Sequence, residues 1–391
     1  MPADPLSIES ICDGLDLPAG VIGFEHAAGG RVVFGPGKLF IVGVEAAELG
    51  AKRVLIVTDP GIAKTGAVSR AVAAIKAAGL AVTVFDQVRE NPTTEDVDRC
   101  VAAAREAGSD LIVGLGGGSS LDTAKGCNFI LTNGGRMQDY WGVGKATLPM
   151  LPFIAIPTTS GTGSECQSFA LIADAETHAK MACGDPKAAA ALAILDPELT
   201  ITMPLSVTAH TGIDAIAHAL ETAVCNKRSA ISSAYSVAAW KLLDKGLEQV
   251  LENPGDLAAR ARMLLGAAFA GTAIENSMLG IAHSCANPLT AHYGVVHGQA
   301  VGAMLPHVIE FNERNPAAAA IYAALAGGER LSDRVRFHLA CCAMDRSLSS
   351  LGVEESMLPT LAAEGAAQWT AQFNPVPVTS ALLEEVYRAA L

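Results

Sequence analysis

The stretch TAHTGIDAIAHALE, residues 208–221, sets Asp214 and His218 four apart in a run that otherwise reads as an alanine-rich helix. On a helix these side chains share a face one turn apart and can grip one ion together. Further on, GIAHSCANPLTAHYGVVHG (280–298) supplies His283 and His297, the latter just past the helix-breaking Gly294. One carboxylate with three imidazoles is a first-row divalent set, suited to Fe(II) or Zn(II) with a position open for substrate. For each histidine the alternative is a hydrogen-bonded core residue, and spacing alone leaves both readings open. His210, one turn before Asp214, reads as an N-terminal cap, and Glu221 as an acceptor behind the ligands. His178, His292 and His338 have no partner at ligand spacing.

A second set of residues could bind phosphate. IVGLGGGSSLDTAKG (112–126) ends an apolar run in glycines and then opens a helix. Glycine lets backbone N–H groups crowd a pyrophosphate, and the helix start adds its positive dipole end. The run departs from the dinucleotide fingerprint, because Ser119 stands where G-x-G-x-x-G wants its last glycine. PTTSGTGSE (157–165) forms another polar turn after the next apolar run, at the same end of the expected sheet. Asp59 closes RVLIVTD (53–59), where an acid can accept from both ribose hydroxyls of an adenosine and repel a 2′-phosphate. A turn cap before Pro60 is the other reading of Asp59.

The elements that must carry these groups follow from periodicity. RVLIVTD (53–59), AVTVFDQV (81–88), LIVGLGGG (111–118) and PFIAIPTT (152–159) read as strands. Between the first three lie AKTGAVSRAVAAIKAAG and TTEDVDRCVAAAREAG, apolar at helical spacing and each closed by glycine. This is the βαβ rhythm of a parallel sheet covered by helices. From Leu205 to Leu391 the chain offers long alanine- and leucine-rich runs and no convincing strand. We therefore expect an α/β dinucleotide-binding domain over 1–204 and an all-α metal-binding domain over 205–391.

Composition fits two packed domains: 391 residues exceed one usual core, and 50% are hydrophobic. A net charge of −13 disfavours nucleic acid and anionic membranes as partners. The N-terminus MPADPLSIESICDGLD lacks the pattern of a signal peptide, and no stretch reads as a spanning helix. Nine cysteines, scattered from Cys12 to Cys341–Cys342 without C-x-x-C spacing, read as reduced thiols. The expectation is a cytoplasmic protein.

Together and in this order the motifs resemble the iron-containing (group III) alcohol dehydrogenase family, similar in fold to dehydroquinate synthase and glycerol dehydrogenase, over roughly residues 20 to 390. The resemblance implies NAD(H) on the first domain and one divalent metal, Fe(II) ahead of Zn(II), on Asp214, His218, His283 and His297. It gives Gly116, Gly117, Gly118 and Ser119 to the pyrophosphate loop with Asp122 behind it, and Thr158 and Thr159 to a second cofactor loop. It also gives Asn91 to an NPT turn, Lys180 to the cofactor ribose, Gln167 to the nicotinamide region, and Asp59 to a preference for NAD over NADP.

The implied reaction is hydride exchange between the nicotinamide and a small alcohol, a primary one ahead of others, giving its aldehyde or ketone, in a homodimer or higher oligomer. Many relatives carry a histidine where this chain has Asn287. Asparagine is no acid or base near neutral pH, so Asn287 is expected to hydrogen-bond substrate while the proton leaves through a cofactor ribose hydroxyl and water. Phe169, with Gln167, falls near the substrate, and Cys166 and Cys183 read as small apolar fillers. Competing readings are a hydroxyacid–oxoacid transhydrogenase or maleylacetate-type reductase, a lyase resembling dehydroquinate synthase, and a non-catalytic nucleotide- or metal-binding regulator. The first of these wants a cationic anchor and the lyase several basic residues, which the candidate pocket segments do not display.

Overall fold

The computed structural model describes residues 29–391. The N-terminal stretch expected to lack a signal peptide, with Cys12, lies outside the described residues. The chain divides into two compact units, one ending at Met203 and the other containing Pro204–Leu391.

The first unit runs β1 (Arg31–Phe34), α1 (Val42–Glu48), β2 (Arg53–Val57), α2 (Pro60–Ala63), α3 (Ala67–Ala77), β3 (Ala81–Phe85), α4 (Thr94–Ala107), β4 (Leu111–Gly116), α5 (Gly118–Asn133), β5 (Gly142–Val143), β6 (Phe153–Pro157), β7 (Phe169–Ala173), β8 (Lys180–Gly184) and β9 (Leu192–Leu195). Six strands form a sheet in the order β1-β9-β6-β4-β2-β3, with every neighbouring pair parallel. β4 and β6 are buried along their whole length, which is why they read as continuous apolar runs. Alternate side chains feed two cores: Leu55, Val57 and Ile112 on one face, and Val54, Ile56, Leu111 and Val113 on the other.

The four expected strands are present, each shorter than its motif, because the polar residues after the apolar run form the loops. β1 and β9 were not foreseen; at four residues each they are too short for periodicity to declare. Nor was the small sheet β5-β8-β7, in which β7 and β8 are antiparallel.

The second unit runs α6 (Leu205–Val224), α7 (Ala230–Glu252), α8 (Leu257–Glu275), α9 (Ile281–Tyr293), α10 (His297–Asn312), α11 (Pro316–Ala326), α12 (Leu331–Cys341), α13 (Leu358–Ala367) and α14 (Ser380–Ala390). A single apolar cluster of Ile213, Ile216, Leu220, Leu243, Leu289, Met304 and their neighbours fills it. No strand is assigned here among the described residues, beyond an isolated bridge between Gly327 and Glu329.

One helix bears on the expectation that no stretch spans a membrane. α8 has 19 residues with a mean hydropathy of 1.3, long and apolar enough to pass as a membrane span. It packs on α7 and α6, and a helix enclosed by neighbours is apolar around most of its circumference whatever the solvent outside.

Candidate functional site

In the helical unit three helices converge on one carboxylate. Asp214 and His218 lie on successive turns of α6, His283 in the first turn of α9, and His297 at the first position of α10. Gly294 makes this possible: it caps α9 at φ 64, a left-handed conformation open to glycine, and turns the chain so that α10 starts beside α9. The Nε2 atoms of His283, His218 and His297 lie 3.3, 3.5 and 3.7 Å from Asp214 Oδ1. Ligands about 2.1 Å from a tetrahedral ion are about 3.4 Å from one another, so each of the three imidazole nitrogens sits near that spacing from Asp214, and the ligand atoms of Asp214, His283 and His297 all lie within 4.8 Å of one another. Asp214, His218 and His283 are buried, and His297 is partly exposed.

Glu221 completes the arrangement. Its Oε2 accepts from His283 Nδ1 at 2.5 Å and its Oε1 from the backbone N–H of Ala282 at 2.6 Å. A proton held on Nδ1 leaves the Nε2 lone pair of His283 for an ion, so the donor set fits a divalent cation. The electrostatics agree. Burial opposes ionisation of Asp214, yet the imidazoles of His218, His297 and His283 hold its carboxyl well below the usual carboxylate range. Burial likewise opposes a charged His283, but Glu221 and Asp214 raise it to about 9. The same negative potential that binds these protons favours a divalent cation.

His210 is no cap. α6 begins at Leu205 after Pro204, which fixes the helix start one turn earlier than expected and leaves His210 as the sixth helical residue. His292 and His338 do have acidic partners, supplied across helices where spacing cannot show them: Glu364 at 2.9 Å and Asp244 at 2.8 Å. The second cluster, Asp244, Glu248 and His338, is bridged by Arg334, whose guanidinium takes the place a cation would occupy.

In the sheet unit, three adjacent strands deliver the expected nucleotide residues at their C-terminal ends. β4 ends at Gly116, Gly117 is the N-cap, and Gly118 and Ser119 open α5, so the first N–H groups of α5 sit in the loop. A side chain at Gly118 would come within 2.6 Å of Thr162, and Thr158 N–H donates to Gly116 carbonyl at 3.0 Å, so the two loops lie side by side. Asp59, after β2, caps α2 through Oδ1, which accepts from Gly61 N–H at 2.9 Å and Ile62 N–H at 3.0 Å. Its Oδ2 faces Ser120 Oγ at 3.4 Å. The cap and the acid beside the glycine loop are thus one residue. This is the crevice at which open parallel sheets bind dinucleotides.

Both halves of the chain match known family patterns: iron-containing alcohol dehydrogenase over residues 29–197, and the C-terminal part of the Fe-containing alcohol dehydrogenase family over 208–391. The chain belongs to the iron-containing alcohol dehydrogenases. It is 35% identical to alcohol dehydrogenase 4 of Schizosaccharomyces pombe, over 92% of this chain and 87% of that one. It is 33% identical to an NAD-dependent methanol dehydrogenase of Bacillus methanolicus, over 92% and 97%. A crystal structure of 1,3-propanediol oxidoreductase superposes with a TM-score of 0.90 at 31% identity, covering 94% of this chain and all of that one. The protein is an oxidoreductase that interconverts alcohols with aldehydes or ketones.

Within this iron-containing alcohol dehydrogenase the remaining expected residues fall as follows. Thr159 lies against Gly117, within 3.3 Å of where a side chain there would begin. Asp122 is buried and accepts from Ser164 Oγ at 2.6 Å; Lys125 Nζ donates to Ser164 Oγ at 2.8 Å and Phe169 carbonyl at 2.9 Å. Asp122 therefore ties α5 to the second loop. Gln167 Nε2 donates to Thr162 carbonyl at 2.7 Å and braces the same loop. Lys180 is exposed on β8, and Asn91 stands at φ 51 before Pro92. Cys183 is buried and Cys166 half-buried. Asn287, one turn beyond His283 on α9, donates from Nδ2 to Gln368 Oε1 at 3.1 Å.

Three residues were missed. Glu165 is buried beside Lys125, and burial pushes its carboxyl up to about 7. Gln368, at the end of α13, has no local signature. Gly298 follows His297, and a side chain there would meet His210 carbonyl oxygen at 2.1 Å; the HG pair at 297–298 was the available signal.

Proposed function

We propose that the chain is an NAD(H)-linked dehydrogenase of short, primary alcohols, reducing the corresponding aldehydes in reverse. One divalent cation, Fe(II) or alternatively Zn(II), would be held by Asp214, His218, His283 and His297. The observation that carries this reading is the meeting of three imidazole nitrogens on Asp214 Oδ1, with Glu221 fixing His283 from behind. When bound, the cation supplies a Lewis acid that polarises the substrate oxygen.

The chain's own residues do the rest. Gly116, Gly117, Gly118 and Ser119 present N–H groups to a pyrophosphate, and Thr158 and Thr159 flank it. Asp59 disfavours a 2′-phosphate, which supports NAD, the cofactor named for the methanol dehydrogenase relative. Asn91, Gln167 and Lys180 border the nucleotide, with Asp122 holding the second loop in place. Asn287 hydrogen-bonds substrate and moves no proton. The eight described cysteines are all free, in keeping with a reducing cytoplasm, and the working form is a homodimer or larger.

The test is metal content of wild type and His283→Ala purified under low oxygen, alongside NADH consumption with short aldehydes after Fe(II) or Zn(II) is restored. Near-stoichiometric metal in wild type, lost together with activity in the variant, is expected. Turnover that persists without bound metal would overturn the reading.

A further inference from the structure

The Asn287–Gln368 contact is built rather than incidental. Gln368 closes α13 and leads into the helical turn Trp369–Phe373. That turn is fastened to α9 by a buried hydrogen bond of 2.7 Å between Ser284 Oγ and Thr370 Oγ1. Asn226 secures it from the other side, bonding to the carbonyls of Gln372 at 2.8 Å and Phe373 at 2.9 Å. Tyr387 OH donates to Cys285 carbonyl at 2.7 Å and holds the same stretch of α9. Both amides are half-buried, so neither is sealed from a small solute.

An amide pair joined by one hydrogen bond has valences left over. Asn287 Nδ2 donates to Gln368 Oε1, which leaves Asn287 Oδ1 to accept and Gln368 Nε2 to donate; turning both amides over leaves the same complement. A hydroxyl both donates and accepts and can satisfy the two groups at once. A carboxylate or sulfonate only accepts, and would set its charge against an amide oxygen. A methyl group would satisfy neither. Asn287 lies one turn, about 5.4 Å, along α9 from His283, a span suited to two or three carbons.

We infer that Gln368 is a specificity-determining residue, acting with Asn287 as a donor–acceptor pair that selects short alcohols and aldehydes bearing a second, uncharged hydroxyl. The inference rests on the proposed function and names the substrate feature that its site would select.

The experiment compares kcat/KM for propane-1,3-diol and for propanol in metal-loaded wild type, Asn287→Leu, Gln368→Met and the double variant. Wild type prefers the diol by at least about tenfold, the discrimination expected when unpaired polar groups await a hydroxyl. Each single variant brings the ratio close to one, mainly through KM of the diol, and the double variant loses no more than either alone. Gln368→Glu is the check on folding: it still accepts from Asn287 but has no donor to offer, and it too loses the preference. A ratio unchanged in Gln368→Met or Gln368→Glu, or additive losses in the double variant, overturns the pair. Failure of metal-loaded wild type to turn over either alcohol overturns the functional reading beneath it, an outcome visible before any variant is made.

Discussion

Glu221→Gln isolates what holds the proposed metal site in its binding form. The two carboxylate oxygens accept from different donors, His283 Nδ1 at 2.5 Å and Ala282 N–H at 2.6 Å. Glutamine keeps the volume but offers one acceptor and one NH2 group. If its oxygen faces Ala282, its NH2 meets Nδ1 of His283, and the ring must shift its proton to Nε2, the atom that should bind the ion. If its oxygen faces His283, two donors oppose each other at Ala282 in a buried place, at a cost of about 1–3 kcal/mol. Either outcome weakens the site, and loss of a partner behind a metal-binding histidine typically costs ten- to a hundredfold in metal affinity, about 1.4 to 2.7 kcal/mol. Competition with a chelator of known affinity, at a pH where both proteins are folded by circular dichroism, reads this directly. Metal affinity equal to that of wild type would refute the tautomer argument and leave Glu221 as a packing residue.

Other perturbations test other parts. Glu165 has its folded-state pKa at about 7 against an ordinary 4.5, so its stabilising protonated form is complete below pH 4.5 and is lost as pH rises through 7. That gap corresponds to at most about 3 kcal/mol, and urea unfolding should show Glu165→Gln gaining on wild type between pH 5 and pH 8; a gain equal at both pH values speaks against it. Gly298→Ala would place a methyl 2.1 Å from His210 carbonyl oxygen, pushing the start of α10 off α6 and carrying His297 with it. Metal sites tolerate about 0.2 Å, so metal affinity should fall at least about tenfold even where circular dichroism shows the helices intact; unchanged affinity would mean the backbone yields elsewhere. Asp59→Asn keeps the cap on Gly61 and Ile62 but removes the charge, so NADP binding measured by fluorescence titration should strengthen with little change in thermal midpoint, and an unchanged NADP affinity would deny Asp59 its discriminating role.

What was legible in the sequence was whatever local spacing enforces. β4 and β6 are apolar throughout because helices cover both faces of the sheet, so their runs stood out, and the loops after them carry the polar residues that strands cannot. β1 and β9 occupy one side of the same sheet in four residues each, and no period can be counted in four. Asp214 and His218 were readable because four residues on one helix specify one face. His283 and His297 were readable as residue types, yet that both point at Asp214 Oδ1 depends on the left-handed Gly294 between α9 and α10.

The parts that were not legible share a cause: they are defined by contacts between helices distant in sequence. Glu221 was read as an acceptor behind the proposed ligands, and the structure pairs it with His283, 62 residues away, rather than with His218 one turn before it. His338 was set aside for want of a nearby partner and finds Asp244 across 94 residues, while Gln368 reaches Asn287 across 81. In each case local chemistry identified what a side chain can do, and tertiary packing decided with whom. Gly298 shows the same division: glycine beside a proposed ligand is visible in the sequence, but the need for it comes from the His210 carbonyl on another helix, so the geometry of the proposed metal site is set as much by how closely α6 and α10 approach as by the side chains they carry.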